Sequence, residues 1–87
     1  MKNYNYYVYI VASKSKIIYI GMTGILEKRI CEHKSLTIEG FTKKYKCTNL
    51  IYYEHCFSVE DAIRREKQIK NWNRNKKELI INQFNPE

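Results

Sequence analysis

The chain has 87 residues, enough for one small domain and too few for a second hydrophobic core. We therefore expect residues 1–87 to form a single domain whose functional site shares residues with its core. Hydrophobic residues make up 44% and charged residues 29%, with three Gly and one Pro, a composition that excludes a disordered or fibrous chain. Sixteen Lys and Arg against nine Asp and Glu leave a net charge of +7, which favours binding to a polyanion, and nucleic acid is the leading candidate.

Two apolar runs near the N-terminus predict an antiparallel β-hairpin. The first, Asn5–Ala12, is dense in β-branched and aromatic residues, and the polar segment Ser13–Lys16 separates it from the second, Ile17–Gly21. Side chains alternate faces along a strand, so Tyr9 and Tyr19 share a face if they lie opposite each other, which is the register we expect. The alternative is a simple loop over Ser13–Lys16, which would place the two tyrosines on opposite faces.

A helix, a loop and a third strand are expected after the hairpin. Thr23 and Gly24 offer cap chemistry before apolar residues at three- and four-residue spacing, which predict a helix over Ile25–Ser35. Residues Leu36–Asn49 lack clear periodicity and predict an ordered loop, with or without a helical turn. The segment Asn49–Phe57 is again apolar and aromatic and predicts the third strand.

The last third of the chain predicts two helices. Ser58, followed three residues later by Asp61, is a capping box, and helical spacing after it predicts a helix that extends to Asn71. Asn73 or Asn75 can cap a last helix over about Lys76–Phe84.

No segment has the length of a membrane helix or the composition of an export signal. The longest uninterrupted apolar run is Tyr6–Ala12, far short of the ~20 residues that a membrane span needs. Cys31, Cys47 and Cys56 are odd in number and widely spaced, which argues against a disulfide framework and against a zinc site. We therefore expect a cytoplasmic protein with no membrane partner, whose cysteines are small buried or half-buried residues.

Three polar side chains lie where a simple amphipathic pattern would not place them. Arg29 and His33 are four residues apart on the first helix, so they share a face that borders its apolar stripe. Glu66 lies inside the apolar stripe of the helix after Ser58, where a carboxylate is costly unless it is paired, protonated or bound to a metal. An ion pair between Arg29 and Glu66, with His33 as a neighbour, explains this spacing as well as a catalytic site does.

The combined order of five positions is the most specific signal in the sequence. The triplet Tyr7-Val8-Tyr9 is followed by the triplet Tyr19-Ile20-Gly21, and then by Arg29, His33 and a distant helical Glu66. This order resembles the GIY-YIG nuclease family over nearly the whole chain. The tract Ala62–Trp72 is similar to a short stand-alone branch of that family, related to the N-terminal incision domain of excinuclease C.

The chain also departs from the family pattern. Tyr7 stands where the first family triplet has its leading glycine. Some members use an asparagine beyond the metal-binding glutamate, and here the candidates are Asn71, Asn73, Asn75 and Asn82. No separate DNA-recognition domain is visible in the sequence, so we expect a protein partner to supply substrate targeting.

The resemblance implies an α+β fold, a small three-stranded antiparallel sheet flanked by helices, and metal-dependent hydrolysis of DNA phosphodiester bonds in DNA repair or processing. In this family Glu66 would hold one divalent metal, Mg²⁺ or Mn²⁺, a hard cation that prefers oxygen ligands. Arg29 would hold the scissile phosphate and stabilise the charge that develops on its oxygens. Tyr9, with His33 beside it, would take the proton from the attacking water, and Tyr19 would hydrogen-bond the phosphate or the water. Tyrosine is a poor base at its ordinary pKa of ~10, so either cationic neighbours such as Arg29 and the metal activate Tyr9, or His33 receives the proton through a relay, and both residues stay candidates for the general base.

A glycine and a set of lysines complete the expected site. Gly21 would allow close backbone approach where the second strand turns into the helix, or it is an ordinary glycine at a strand end. Phosphate contacts give affinity without sequence preference, and we expect them from Lys28, Lys43, Lys44, Lys67 and Lys70. The alternative function is a catalytically weak or inactive nucleic-acid-binding module of a repair complex, which has no need for a carboxylate facing the phosphate.

Overall fold

A three-stranded antiparallel sheet organises the chain. The computed structural model describes residues 5–35 and 40–84, without the side chains of Phe41 and Thr42. The strands are β1 (Tyr6–Ala12), β2 (Ile18–Thr23) and β3 (Asn49–Cys56), and they pair antiparallel in the order β2-β1-β3. The helices are α1 (Leu26–Lys34), α2 (Phe41–Tyr45), α3 (Val59–Lys70) and α4 (Arg74–Phe84). The expected α+β fold, a sheet flanked by helices, is confirmed.

The sheet separates two hydrophobic clusters. On one face, buried residues of the strands pack with Ala62 and Ile69 of α3 and with half-buried Ile80 and Ile81 of α4. On the other face, Leu26 and Ile30 of α1 pack against a cluster formed by Tyr9, Val11 and Cys47. Because side chains alternate along β1, its odd-numbered residues point to α1 and its even-numbered residues point to α3.

The hairpin places its side chains on the expected faces but in a different register. Tyr9 lies opposite Gly21, and Val11 lies opposite Tyr19, so the expected pairing of Tyr9 with Tyr19 is wrong by two residues. The loop closes where the Ser13 backbone N–H donates to the Ile17 carbonyl oxygen at 2.8 Å. A shift of two residues keeps every side chain on its face, so Tyr9 and Tyr19 still point to the same side of the sheet. The alternative register, with a simple loop over Ser13–Lys16 and the two tyrosines on opposite faces, is therefore also wrong.

A β-bulge in β3 sets the pairing on the other side of β1. Ile10 lies opposite Tyr52 and Val11 lies opposite Leu50, so Ile51 is the extra residue. Leu50 packs with the cluster under α1, whereas Ile51 and Tyr52 pack with the cluster under α3. Before the bulge, Tyr53 lies directly opposite Tyr9.

The caps of the two C-terminal helices follow the sequence. The Ser58 hydroxyl accepts a hydrogen bond from the Asp61 backbone N–H at 3.1 Å, which confirms the expected cap of α3. Of the two cap candidates for α4, Asn73 is the one used, because its side-chain oxygen accepts from the Lys76 N–H at 2.9 Å. The helix therefore begins at Arg74, earlier than expected.

The start of α1 and the segment after it differ from expectation. Ile25 occupies the cap position without a side-chain cap, and Thr23 Oγ1 accepts from the Ile25 N–H at 3.1 Å instead of capping the helix. The short helix α2, Phe41–Tyr45, supplies the helical turn allowed within Leu36–Asn49, although residues 36–39 of that segment lie outside the described residues.

Burial separates the cysteines. Cys47 and Cys56 are buried as expected, whereas Cys31 is exposed on α1, so that part of the expectation is wrong. Within residues 5–35 and 40–84, no helix has the length and apolar character needed to span a membrane.

Candidate active site

A buried tyrosine–histidine pair lies between β1 and α1. Tyr9 and His33 are each only 2% exposed. The Tyr9 hydroxyl oxygen lies 2.9 Å from His33 Nε2, and the two rings meet edge to face with centroids 5.4 Å apart. The Tyr19 ring centroid lies 5.9 Å from that of His33. The fold therefore brings together three of the residues that the sequence singled out.

Gly21 provides the space for the Tyr9 ring. It lies within β2, directly opposite Tyr9, and not where the strand turns into the helix, so its expected position is wrong. A Cβ added at Gly21 would lie 2.6 Å from the Tyr9 hydroxyl oxygen and 2.9 Å from Cε2 of Tyr19, well inside normal contact distance. A side chain on this strand position would displace the phenol from His33, and this explains why glycine stands opposite Tyr9.

Burial favours the uncharged form of both members of the pair. Burial, with the nearby Tyr19, raises the pKa of Tyr9 well above its ordinary value, and the positive charge of Arg29 works in the opposite direction. Burial and then the charge of Arg29 lower the pKa of His33, with Glu32 opposing them. The resting site therefore holds a neutral phenol beside a neutral imidazole near pH 7.

The second ring nitrogen of His33 is isolated. Nδ1 is buried and has no hydrogen-bond partner among the described residues. Whether the phenol donates to Nε2 or the Nε2–H donates to the phenol oxygen depends on the tautomer. When Nδ1 carries the proton, Nε2 accepts a hydrogen bond from the phenol, and in both tautomers this hydrogen bond holds the Tyr9 oxygen in place.

Arg29 lines a cavity whose lining includes neither Tyr9 nor His33, although its charge acts on both side chains. Its guanidinium Nη1 lies 3.8 Å from Glu32 Oε1, and its side chain is 40% exposed. The cavity has a volume of about 370 Å³ and is lined by Thr23, Gly24, Ile25, Lys28, Arg29 and Glu32. A half-exposed guanidinium on a cavity wall is suited to bidentate binding of a phosphate.

Glu66 is the carboxylate expected to hold a metal. Its side chain is 19% exposed, and Oε1 lies 3.7 Å from Lys70 Nζ, so the alternative ion pair with Arg29 is replaced by a pair within α3. Its negative charge contributes to the raised pKa of Tyr9, so the two side chains interact electrostatically. Among residues 5–35 and 40–84, no group of three or more His, Cys, Asp or Glu is arranged to hold a metal. One carboxylate fits Mg²⁺ or Mn²⁺, which keep most of their waters, and does not fit a closed zinc site.

The lysines expected to bind DNA are all exposed, but only two of them lie beside the site. Lys28 lines the Arg29 cavity. Lys70 lines a groove of about 310 Å³ together with Tyr19 and Lys77. Lys43 and Lys44 of α2, and Lys67 of α3, lie outside these two cavities.

Sequence reasoning missed the network that anchors α3 to the sheet. Arg65 donates from Nε and Nη2 to the two carboxylate oxygens of Glu54 at 2.8 and 2.9 Å, and the Tyr52 hydroxyl donates to the same carboxylate. Burial alone would raise the pKa of Glu54, but hydrogen bonds from Arg65 and Tyr52 outweigh it and hold the pKa below its ordinary value. Because Arg65 directly precedes Glu66, this pair fixes the part of α3 that carries the candidate metal ligand. The sequence did contain one indication of this network, because Glu54 is an acidic residue within the otherwise apolar predicted strand Asn49–Phe57.

Comparison with known proteins defines the class to which this fold and site belong. Residues 5–79 match the family model of the GIY-YIG catalytic domain, and the chain belongs to the GIY-YIG nuclease family. It is 38% identical over 82 residues to a UPF0213 protein of Syntrophus aciditrophicus, with 93% of each chain covered. It is 32% identical over 85 residues to a UPF0213 protein of Bacillus pumilus, which covers 97% of this chain and 86% of that one.

A solved structure of the same kind supports the fold. The solution NMR structure of a UPF0213 protein from Bacillus halodurans matches with a TM-score of 0.59 at 32% identity, covering 91% of this chain and 84% of that one. The name UPF0213 states no activity. Family membership therefore establishes a nuclease-type domain, and the reaction, the substrate and the role of each residue rest on the site itself.

Proposed function

We propose that this chain is a metal-dependent endonuclease that hydrolyses DNA phosphodiester bonds. The observation that carries the proposal is the buried hydrogen bond between Tyr9 and His33, held over Gly21 and within electrostatic reach of both Arg29 and Glu66. A protein that only binds DNA gains nothing from a half-buried carboxylate near its phosphate site, because that charge repels DNA.

Arg29 is proposed to bind the scissile phosphate. Its guanidinium is half exposed in a cavity that also presents Lys28, so two cations face one small space. The guanidinium donates two parallel hydrogen bonds to phosphate oxygens and stabilises the charge that builds on them in the transition state. Glu32, at 3.8 Å, holds the guanidinium in place before the phosphate arrives.

Tyr9 is proposed to accept the proton of the attacking water once its own phenol proton has moved to Nε2 of His33, 2.9 Å away. A phenol with a raised pKa is a proton donor at rest, so it needs positive charge close to its oxygen before it can act as a base. Arg29 supplies part of that charge, as its lowering effect on the pKa of Tyr9 shows. Mg²⁺ or Mn²⁺ held by Glu66 would add more and would also stabilise the phosphate oxygens. His33 would position the Tyr9 oxygen and receive its phenol proton, and Tyr19 would hydrogen-bond the phosphate or the water.

The biological setting belongs to the same proposal. Similarity to the branch of the family related to the incision domain of excinuclease C supports a role in DNA repair or processing in the cytoplasm. Residues 1–87 would then act as one catalytic domain, with substrate targeting supplied by a protein partner.

Cleavage of labelled DNA tests the proposal directly. The purified protein is incubated with duplex, single-stranded and branched DNA in the presence of Mg²⁺, Mn²⁺ or a chelator. We expect cleavage with metal, none in chelator, and none with Glu66→Gln, which should still bind DNA. Binding without cleavage on every substrate would instead support a nucleic-acid-binding module.

A further inference from the structure

Next to the candidate site, the same face of the sheet carries aromatic side chains that the proposed reaction does not use. Tyr53 lies opposite Tyr9, and His55 lies opposite Tyr7, so all four residues point to the α1 side of the sheet. The ring of Tyr7 lies 6.1 Å from that of Tyr53 and 5.3 Å from that of His55, measured between centroids. Tyr53 is 38% exposed, which is high for a tyrosine on a sheet face that packs against a helix.

Two of these rings line a cavity that adjoins the Arg29 cavity. Tyr7 and Tyr53 form its aromatic wall, and its volume of about 440 Å³ lies within the range of small-ligand sites. Gly24 and Ile25 line both this cavity and the Arg29 cavity, so the two meet at the connection between β2 and α1. The remaining lining residues are Asn5, Leu26 and Glu27.

We propose that this cavity, the Tyr7–Tyr53 pocket, binds an unpaired base of the DNA strand whose neighbouring phosphate is held by Arg29. The inference rests on the proposed endonuclease function and names the substrate feature that this site selects. Aromatic faces stack on any base, so the two tyrosines give affinity without sequence preference. Glu27 carries a carboxylate that would hydrogen-bond a base edge, whereas Oδ1 of Asn5 is bonded to Nε2 of His55 at 2.7 Å.

Charge and continuity favour a nucleotide over a protein side chain as the occupant. The pocket shares Gly24 and Ile25 with a cavity that presents Lys28 and Arg29, on a chain with a net charge of +7, so a strand whose phosphate is attracted to that cavity would bring its base near the aromatic wall. A base stacked and paired inside a duplex cannot enter such a pocket. The site therefore selects single-stranded, flipped or mismatched nucleotides beside the cut.

Binding measured in chelator tests the pocket without relying on cleavage. The probes are a short fluorescein-labelled single strand of mixed sequence and the same strand annealed to its complement, followed by fluorescence anisotropy. Tyr53→Leu keeps an apolar side chain but removes the ring, and we expect it to weaken single-strand binding by about 5- to 150-fold, the effect of losing one stacking partner. Duplex binding should change little, because the backbone contacts of Lys28 and Arg29 remain.

Two further variants make the test specific. Phe57→Ala is the control, because Phe57 is a 70% exposed aromatic residue directly after β3 and outside the pocket, and the single-strand affinity of this variant should equal that of the parent. Tyr53→Phe keeps the ring and should restore most of the affinity that Tyr53→Leu loses. Unchanged single-strand affinity in Tyr53→Leu, or an equal loss in Phe57→Ala, overturns the proposal.

An abasic substitution in the DNA gives an independent test with the unaltered protein. Removing the base at successive positions of the single strand should weaken binding in chelator most at one position, and with Mg²⁺ the cut should fall at a phosphate next to that position. Position-independent effects overturn the pocket, whether or not the DNA is cleaved. Position-dependent binding without any cleavage supports the pocket and refutes the endonuclease. If Tyr53→Leu changes the self-association of the protein, measured by sedimentation, and leaves DNA binding unchanged, the Tyr7–Tyr53 pocket is a protein contact and the proposal is wrong.

Discussion

Replacing Gly21 with alanine tests the packing on which the candidate site depends. The added Cβ would lie 2.6 Å from the Tyr9 hydroxyl oxygen, and ordinary contact begins at 3.4 Å, so the phenol would have to move by about 0.8 Å. Tyr9 is 2% exposed and its oxygen lies 2.9 Å from His33 Nε2, so it has little room to move and loses its hydrogen bond if it does. Overpacking costs about 1–3 kcal/mol and the hydrogen bond about 1 kcal/mol.

The expected loss of about 2–4 kcal/mol is large for a chain of this size. It corresponds to a fall in melting temperature of roughly 8 to 30 °C for a small domain. Thermal unfolding is followed by circular dichroism in chelator, and cleavage is measured with Mg²⁺ well below the melting temperature, where activity should also be lost because the phenol is displaced.

A double-mutant cycle identifies the cause of that loss. Tyr9→Leu removes the ring atoms that the new methyl group would meet, so Gly21→Ala should cost far less stability in a Tyr9→Leu background than in the parent. A Gly21→Ala protein that melts and cleaves like the parent would refute the packing argument. An undiminished cost in the Tyr9→Leu background would show that the strain arises elsewhere, for example against Tyr19.

The other site residues give separate expectations. Arg29→Lys should bind DNA nearly as well as the parent but lose most cleavage, because the charge is kept and the bidentate geometry is lost. Cleavage at the rate of the parent would show that Arg29 is only a surface cation. Tyr9→Phe should fold and lose cleavage rate by roughly 10²- to 10⁴-fold, and full activity would assign Tyr9 to packing alone. Glu66→Gln should abolish cleavage and retain DNA binding. Its free energy of unfolding in chelator should change by at most about 1 kcal/mol, because its ion-pair partner Lys70 is half exposed and lies 3.7 Å away. A loss of about 3–5 kcal/mol with cleavage retained would show that Glu66 has a structural role. Stability should fall as the pH drops below about 6.5, because unfolded His33 binds a proton at its ordinary pKa and folded His33, with its lowered pKa, does not. His33→Gln should flatten that dependence, measured as melting temperature against pH. An unchanged profile in His33→Gln would contradict the assignment.

The elements of the fold could be predicted from local patterns because each of them has a strong one. Runs dense in β-branched and aromatic residues predicted the strands, and the capping box at Ser58 predicted the start of α3, which the Ser58 side chain caps as expected. The hairpin register could not be predicted in this way. Alternation is unchanged when a strand slips by two residues, so it cannot distinguish Tyr19 from Gly21 as the partner of Tyr9. The choice depends on the volume of the Tyr9 ring, which only the smallest residue accommodates.

The order of polar residues predicted which side chains meet but not how each is paired. Tyr9, Tyr19 and His33 were expected together and lie together. The Arg29–Glu66 pair was an equal alternative because Arg29 borders one apolar stripe and Glu66 lies inside another, and spacing carries no information about the distance between helices. The exposure of each tyrosine could not be predicted from the sequence either, because Tyr7, Tyr9 and Tyr53 all lie in similar apolar strand segments. The position of α1 buries Tyr9 and leaves Tyr53 at a cavity.

The site divides into an inner and an outer part with different consequences for stability. Tyr9 belongs to the hydrophobic cluster under α1, and His33 is equally buried, so changes to either alter packing and chemistry together. Arg29 and Glu66 lie at the margin of the core, with side chains 40% and 19% exposed, so they can be changed with little loss of packing. A chain this short has one core to share between folding and function. Burial holds the Tyr9 oxygen in place, and the partly exposed Arg29 and Glu66 side chains would leave room for the proposed phosphate and metal.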